Sequence, residues 1–166
     1  MKIDVNIVYL VLSILSIALN IVCISLMWMS NSNIHLYLTK VYMTTGILMN
    51  LKEYQDYVCA IGTYDDCSLA RKQFRISLVA FIILIISLFF HLINIVLLQL
   101  KFIVLQHTFF FLILTLDAFA ISFYAVEIDK DGISFTYGFY LGVSLLCLDF
   151  VFYAIYIVKR CISFNK

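Results

Sequence analysis

The stretch SLLCLDFVFYAIYIVKR, residues 144 to 160, decides the fold, because it sets one carboxylate, Asp149, inside an apolar run that closes on the basic pair Lys159 and Arg160. Ten residues of helix separate Asp149 from Lys159, roughly 15 Å at 1.5 Å per residue and close to half the thickness of a bilayer core. If this run spans a membrane, the acid lies near its middle and must turn toward other protein, since a charged side chain facing lipid there is costly.

The rest of the chain agrees with a membrane setting. Of its 166 residues 64% are hydrophobic and only 13% are charged, and there is no proline, which is far from the balance of a water-soluble domain. Four runs are long enough to span: residues 5–29, 76–100, 103–126 and 135–158. The first is too long, and lacks the small-residue pattern, for a removable signal peptide, so it is expected to stay as an anchor. The lipid bilayer is the expected partner. A formal net charge of +1 gives no support to nucleic-acid binding.

An even number of spans puts both termini on one side, so the loop of residues 30–75 shares its side with the short connection at residues 127–134. The layout predicts a single four-span domain over residues 1–166, an all-α four-helix transmembrane bundle with a small extracellular antiparallel β-sheet in the first long loop. Lys2, Lys101, Lys159, Arg160 and Lys166 fall on one side, and Lys40, Lys52, Arg71, Lys72, Arg75 and Lys130 on the other, so the distribution of basic residues does not orient the chain. The cysteines do. Cys59 and Cys67 share the long loop, which suggests a disulfide on the oxidising side. Closing that short ring would stabilise the loop by about 2.5 kcal/mol in the chain-entropy model. Both termini are then cytoplasmic, and the plasma membrane is the expected location. IHLYLTKVYM (34–43) and YVCAI (57–61) are rich in β-branched and aromatic residues and are read as strands, with Ile34, Leu36 and Leu38 on one face. The reversal between the second and third spans has neither Gly nor Pro and is expected among Gln99, Lys101, Gln106 and His107.

Depth along the spans gathers the polar residues. Asn20, His91, Asn94, Asp117 and Asp149 all fall roughly 13–27 Å below the loop side, so every helix supplies a polar group to one slab. Tyr9, Ser13, Ser16, Asn20 and Cys23 share one stripe of the first helix, and Ser87, His91 and Asn94 one stripe of the second. In the fourth, Gly138, Gly142, Leu145 and Asp149 follow at steps of four, three and four, a small-residue seam that leads to the acid and lets a neighbouring helix approach closely. Asp149 is expected to be protonated or hydrogen-bonded to His91 or Asn94, although the seam could instead meet another subunit. In the third helix Asp117 lies about 200° from the stripe of Thr108, Thr115 and Ser122, and both cannot face the same neighbour.

Two readings of the slab stand side by side: hydrogen-bonded glue between helices, and a path for protons or ions. Catalysis is not expected. One histidine deep in the spans falls short of the three protein donors usual for a zinc hydrolase, and no CxxC supports a thiol oxidoreductase. No metal or cofactor is therefore expected. Cys161, directly after Lys159 and Arg160, suits reversible palmitoylation, with a free thiol as the alternative.

The residues also resemble the claudin and peripheral-myelin-protein superfamily of four-span proteins. Trp28, followed eighteen positions on by Gly46, Ile47 and Leu48, is similar to that family's Trp and Gly-Leu-Trp, and Cys59 with Cys67 is similar to its loop cysteine pair. RKQFRISLVAF (71–81) places Arg75 at the start of a span as the family does, and FTYGFYLGVSLLCLDFVFYAIYIVKR (135–160) resembles the peripheral myelin branch. Leu48 stands where the family has Trp, Cys59 comes about eight residues later than its counterpart, and the tail CISFNK lacks the C-terminal hydrophobic ligand of many claudins. The resemblance implies a non-enzymatic protein that associates laterally and supports cell contact, membrane organisation or barrier formation, by self-association or within a larger membrane complex. An accessory subunit that alters the trafficking or gating of a channel or receptor is the alternative.

Overall fold

A computed structural model describes residues 5–30, 32–100, 102–127 and 134–164. The elements run α1 (Val5–Ser25), β1 (Met27–Ser30), β2 (Ile34–Tyr37), β3 (Lys40–Met43), β4 (Leu48–Asn50), α2 (Leu51–Ile61), α3 (Tyr64–Leu100), α4 (Ile103–Glu127), β5 (Ser134–Phe135) and α5 (Tyr137–Phe164). Four of the helices, α1, α3, α4 and α5, are long and apolar enough to cross a membrane. This is a mostly helical, multi-pass membrane fold with a small antiparallel sheet at one end.

The expected first span is too long at its C-terminal end. Helix α1 stops at Ser25, and residues 27–30 turn into β1 instead of completing a helix to Met29. A local contact explains the stop: the indole Nε1 of Trp28 donates to the carbonyl of Cys23 at 2.8 Å, satisfying one of the orphan acceptors at the helix end. The Trp28 ring is then fully buried against Tyr124 and Phe139, with centroids at 4.8 and 6.1 Å. Phe135, expected to open the last span, instead lies in β5, and α5 begins two residues later.

The strands form one sheet in the order β4-β3-β2-β1-β5. The reading of residues 34–43 as strand holds as the hairpin β2–β3, with Leu36 and Leu38 buried on the expected face. Gly46 turns the chain from β3 to β4 at φ 90°, a left-handed conformation that favours glycine. Pairing of β5 with β1, Met29 opposite Phe135, ties the second connection into the sheet formed by the first. The short connection at residues 128–133 lies outside the described residues.

The second expected strand, YVCAI, is wrong: it is the C-terminal half of α2. Two local signals outweigh its β-propensity. Asn50 and Glu53 close a capping box, Asn50 Oδ1 accepting from the Glu53 amide at 2.9 Å and Glu53 Oε2 from the Asn50 amide at 3.0 Å. Leu51, Tyr54 and Val58 then recur at helical spacing, the first two buried and the third packed on the core. The expected Cys59–Cys67 disulfide is present and joins α2 to the first turn of α3. Helix α3 has 37 residues, about 55 Å at 1.5 Å per residue, so it begins twelve residues before the expected span. That extension carries Asp65, Asp66, Arg71 and Lys72 above the apolar body.

At the opposite end α3 stops at Leu100 and α4 starts at Ile103, so the reversal falls between them, within the expected stretch, and Lys101 lies outside the described residues. Gln106 closes the reversal by donating from Nε2 to the Leu97 carbonyl at 2.6 Å. The bundle is therefore stratified. Trp28, Leu36, Leu38, Val41, Leu84 and Tyr124 belong to a large apolar core that runs under the sheet, and Tyr9, Phe110, Phe152 and Tyr156 form a smaller aromatic core toward the other end.

Candidate functional site

Between those cores each long helix turns polar groups inward. On α1 the stripe Tyr9, Ser13, Ser16, Asn20 and Cys23 is buried throughout, and on α3 Ser87, His91 and Asn94 are buried together. On α4 the buried positions Gln106, Phe110, Ile113, Asp117, Ala120 and Tyr124 recur every three or four residues, which carries Asp117 inside. Thr108, Thr115 and Ser122 fall on the opposite, exposed face, and Thr108 and Thr115 bond the carbonyls of Val104 and Phe111 in their own helix. The incompatibility between Asp117 and that stripe is thus resolved in favour of the acid.

Helix α5 follows the expected seam. A side chain added at Gly142 would put its Cβ 3.3 Å from Cys23 Sγ on α1, 3.5 Å from Ile121 on α4 and 3.5 Å from Trp28. The Gly138 carbonyl accepts from the Cys23 thiol at 3.4 Å, and Leu145 is fully buried. The seam therefore packs within this chain, and the alternative in which it meets another subunit is set aside. Its continuation delivers Asp149 to the interior.

There Asp149, Asp117 and His91 converge. His91 Nε2 lies 3.6 Å from Asp149 Oδ2 and 3.9 Å from Asp117 Oδ2, and all three side chains are almost wholly buried. The hydrogen bond that holds Asp149 comes from α1: the Ser16 hydroxyl donates to Asp149 Oδ1 at 2.7 Å. Asn94 was an expected partner, but its amide oxygen has no hydrogen bond, and neither has either amide atom of Asn20. Both amides are buried in the slab without bonding to the acids. Among the described residues, His91 Nε2, both Asp117 oxygens and Asp149 Oδ2 make no hydrogen bond of standard geometry.

Burial of two carboxylates beside one imidazole has an electrostatic consequence. With all three ionised the cluster carries an uncompensated negative charge in a low-dielectric layer, which is strongly unfavourable. It is neutral in only a few ways, each of which adds a proton or a cation. One ligand atom from each of the three residues lies within 4.8 Å of the other two, a donor set that the count of histidines alone had overlooked. The seven-residue repeat of α4, which puts Asp117 on the same face as Phe110 and Tyr124, is a sequence signal that would have found it.

The positions likened to family motifs lie at the sheet end. Trp28 is buried in β1, Gly46 is in the β3–β4 turn and Leu48 is exposed on β4. Arg75 lines an open groove of about 590 Å³ with Arg71, Lys72, Ile76, Val79 and Phe123, where the charged extension of α3 meets its apolar length. Cys161 falls within α5, but its side chain lies outside the described residues. No protein-family model and no curated protein matches the sequence.

Proposed function

We propose that the chain is a divergent claudin-like protein of the plasma membrane, with cytoplasmic termini and no catalytic activity, that works by lateral association through the layer formed by its sheet, α2 and the start of α3. The observation that carries this reading is apolar exposure among charged residues. Leu48 is 59% exposed on the edge strand β4, Ile61 68% at the end of α2, and Tyr64 87% at the start of α3. These residues sit beside Lys52, Asp56, Asp65 and Asp66, away from the apolar length of the spans, so lipid is not their cover. A protein partner is. The unpaired edge of β4 adds backbone donors and acceptors to the same surface. The disulfide supports the orientation, because a bridge within this layer belongs on the oxidising side. The ordering of Trp28, the Gly46 turn and Arg75 along the sheet end supports the family reading, with Leu48 in place of an aromatic as its main departure.

Purification of the full chain in mild detergent, followed by separation at native size, tests this. The expected result is a self-associated species that Leu48→Asp converts to smaller particles while helix content is unchanged. A wild-type protein that runs as a monomer without companions overturns the reading. A stoichiometric larger companion in place of self-association would favour the accessory-subunit form of it.

A further inference from the structure

The geometry points to a binding site for one divalent transition-metal cation in the middle of the bundle, with His91 Nε2 and one carboxylate oxygen each from Asp117 and Asp149 as protein ligands. Spacing separates this from simple glue. A charge-assisted bond between imidazole and carboxylate closes to roughly 2.7–2.9 Å. The two imidazole–carboxylate separations here are 3.6 and 3.9 Å. Two donors that share an ion at about 2.1 Å, at tetrahedral to trigonal angles, stand roughly 3.4–3.6 Å apart. The observed separations are closer to that arrangement, and all three donor atoms lie within 4.8 Å of one another. A small contraction brings them onto one ion.

Unmet polar capacity is the second observation. Asp117 is fully buried, yet among the described residues neither of its oxygens makes a hydrogen bond of standard geometry: Ser87 and His91 are its polar neighbours, and both stand too far or too poorly aligned to close one. Buried carboxylates rarely stay in that condition. One turn along the same buried face of α3, Asn94 holds a further amide oxygen without a partner. Asp149, by contrast, is fixed from behind: the Ser16 hydroxyl takes Oδ1 and leaves Oδ2 toward His91, the kind of outer hydrogen bond that orients a ligand. Charge balance agrees, since a dication with two carboxylates and a neutral imidazole is electrically neutral.

The donor set selects the ion. One imidazole nitrogen with carboxylate oxygens suits Zn²⁺ or Mn²⁺ better than Mg²⁺ or Ca²⁺, which prefer all-oxygen shells, and better than Cu⁺, which prefers sulfur. A bound ion would join α3, α4 and α5 directly, and α1 through Ser16.

The test is the metal content of the purified full-length protein after equilibration with Zn²⁺ and removal of free ion, together with its thermal stability in Zn²⁺ and in Mg²⁺. We expect about one Zn²⁺ per chain and a higher melting temperature in Zn²⁺ only. Asp117→Asn should weaken Zn²⁺ binding at least tenfold. The double variant His35→Gln with His107→Gln, which removes the other two histidines, should bind as the wild type does. Folded wild-type protein without bound Zn²⁺ and without a Zn²⁺-dependent shift overturns the site, leaving protons as the neutralising species. So does Zn²⁺ content that survives Asp117→Asn but is lost in the double variant, which would place adventitious ion on the other histidines. Should Asp117→Asn fail to fold, Asp149→Asn, which keeps an acceptor for Ser16, replaces it in the same comparison.

Discussion

The two ends of the polar inventory are treated in opposite ways. In the sheet-bearing layer polar groups at element ends are closed locally: Asn50 and Glu53 cap α2, Thr63 and Asp66 cap α3 with the Thr63 hydroxyl donating to Asp66 Oδ2 at 2.7 Å, and the Trp28 indole donates to the Cys23 carbonyl near the end of α1. In the intramembrane slab Ser13, Asn20, Ser87, Asn94 and Asp117 are buried with polar atoms unmatched. The difference teaches where each region draws its stability. The outer layer is finished by short-range bonds and a disulfide. The slab lies between apolar packing above and below it, and several of its polar atoms have no partner among the described residues.

If that division is right, the largest loss should come from the packing that supports the slab. Trp28 is fully buried, holds the end of α1 and meets both Tyr124 and Phe139. Trp28→Ala should cost about 3–5 kcal/mol, the range of large aromatic truncations, and sharply lower the yield of folded protein in membranes. Near-normal thermal stability in detergent would mean that the apolar core under the sheet is not what holds the bundle.

A smaller effect is expected at the seam that joins the two regions. Gly142→Leu pushes bulk against Cys23, Ile121 and Trp28, all within 3.5 Å of the added Cβ, and overpacking of this kind costs about 1–3 kcal/mol. Val143→Leu, one position away on an exposed face, should be neutral. Equal melting temperatures for the two variants would remove the seam from the interior and Asp149 with it.

How much of this was legible follows the range of the forces involved. The four spans, the β2–β3 hairpin and the slab could be read because burial and periodicity are written directly into residue order. Two of the misread segments had competing local signals: Met27–Met29 is apolar enough for a helix yet lies in β1 with the Trp28 indole bonded back to Cys23, and residues 57–61 look like a strand yet follow the Asn50–Glu53 capping box. The triad was only partly legible. Depth arithmetic placed His91, Asp117 and Asp149 at one level, but which helices are neighbours is a property of the packing, so Ser16 was not foreseen as the partner of Asp149. Nor was Asp117 foreseen beside His91.

The smallest effect on stability should come from the residue that first suggested the fold. In Asp149→Asn the amide oxygen still accepts from Ser16, whose bond at 2.7 Å is the one standard hydrogen bond the Asp149 side chain makes among the described residues, and no charge is left unpaired. Hydrogen bonds between membrane helices average well under about 2 kcal/mol, and this one is retained, so a change below about 1 kcal/mol is expected. A thermal melt in detergent and the yield of folded protein from membranes measure it. Asp149→Lys provides the contrast: a long cation, added where Gly142, Leu145 and Phe152 pack tightly on the same face, should not fold, because among the described residues Asp117 is the one acid left near it. The informative outcome is therefore a folded Asn variant that has lost something other than stability. A normal melt in metal-free buffer, together with loss of bound Zn²⁺ and of the Zn²⁺-dependent rise in melting temperature, separates the ligand role of the carboxylate from its role as a hydrogen-bond acceptor. A melt lowered by several kcal/mol would instead mean that the ionised carboxylate itself holds the helices together, and that the slab is closed by the protein in the same way as the outer layer.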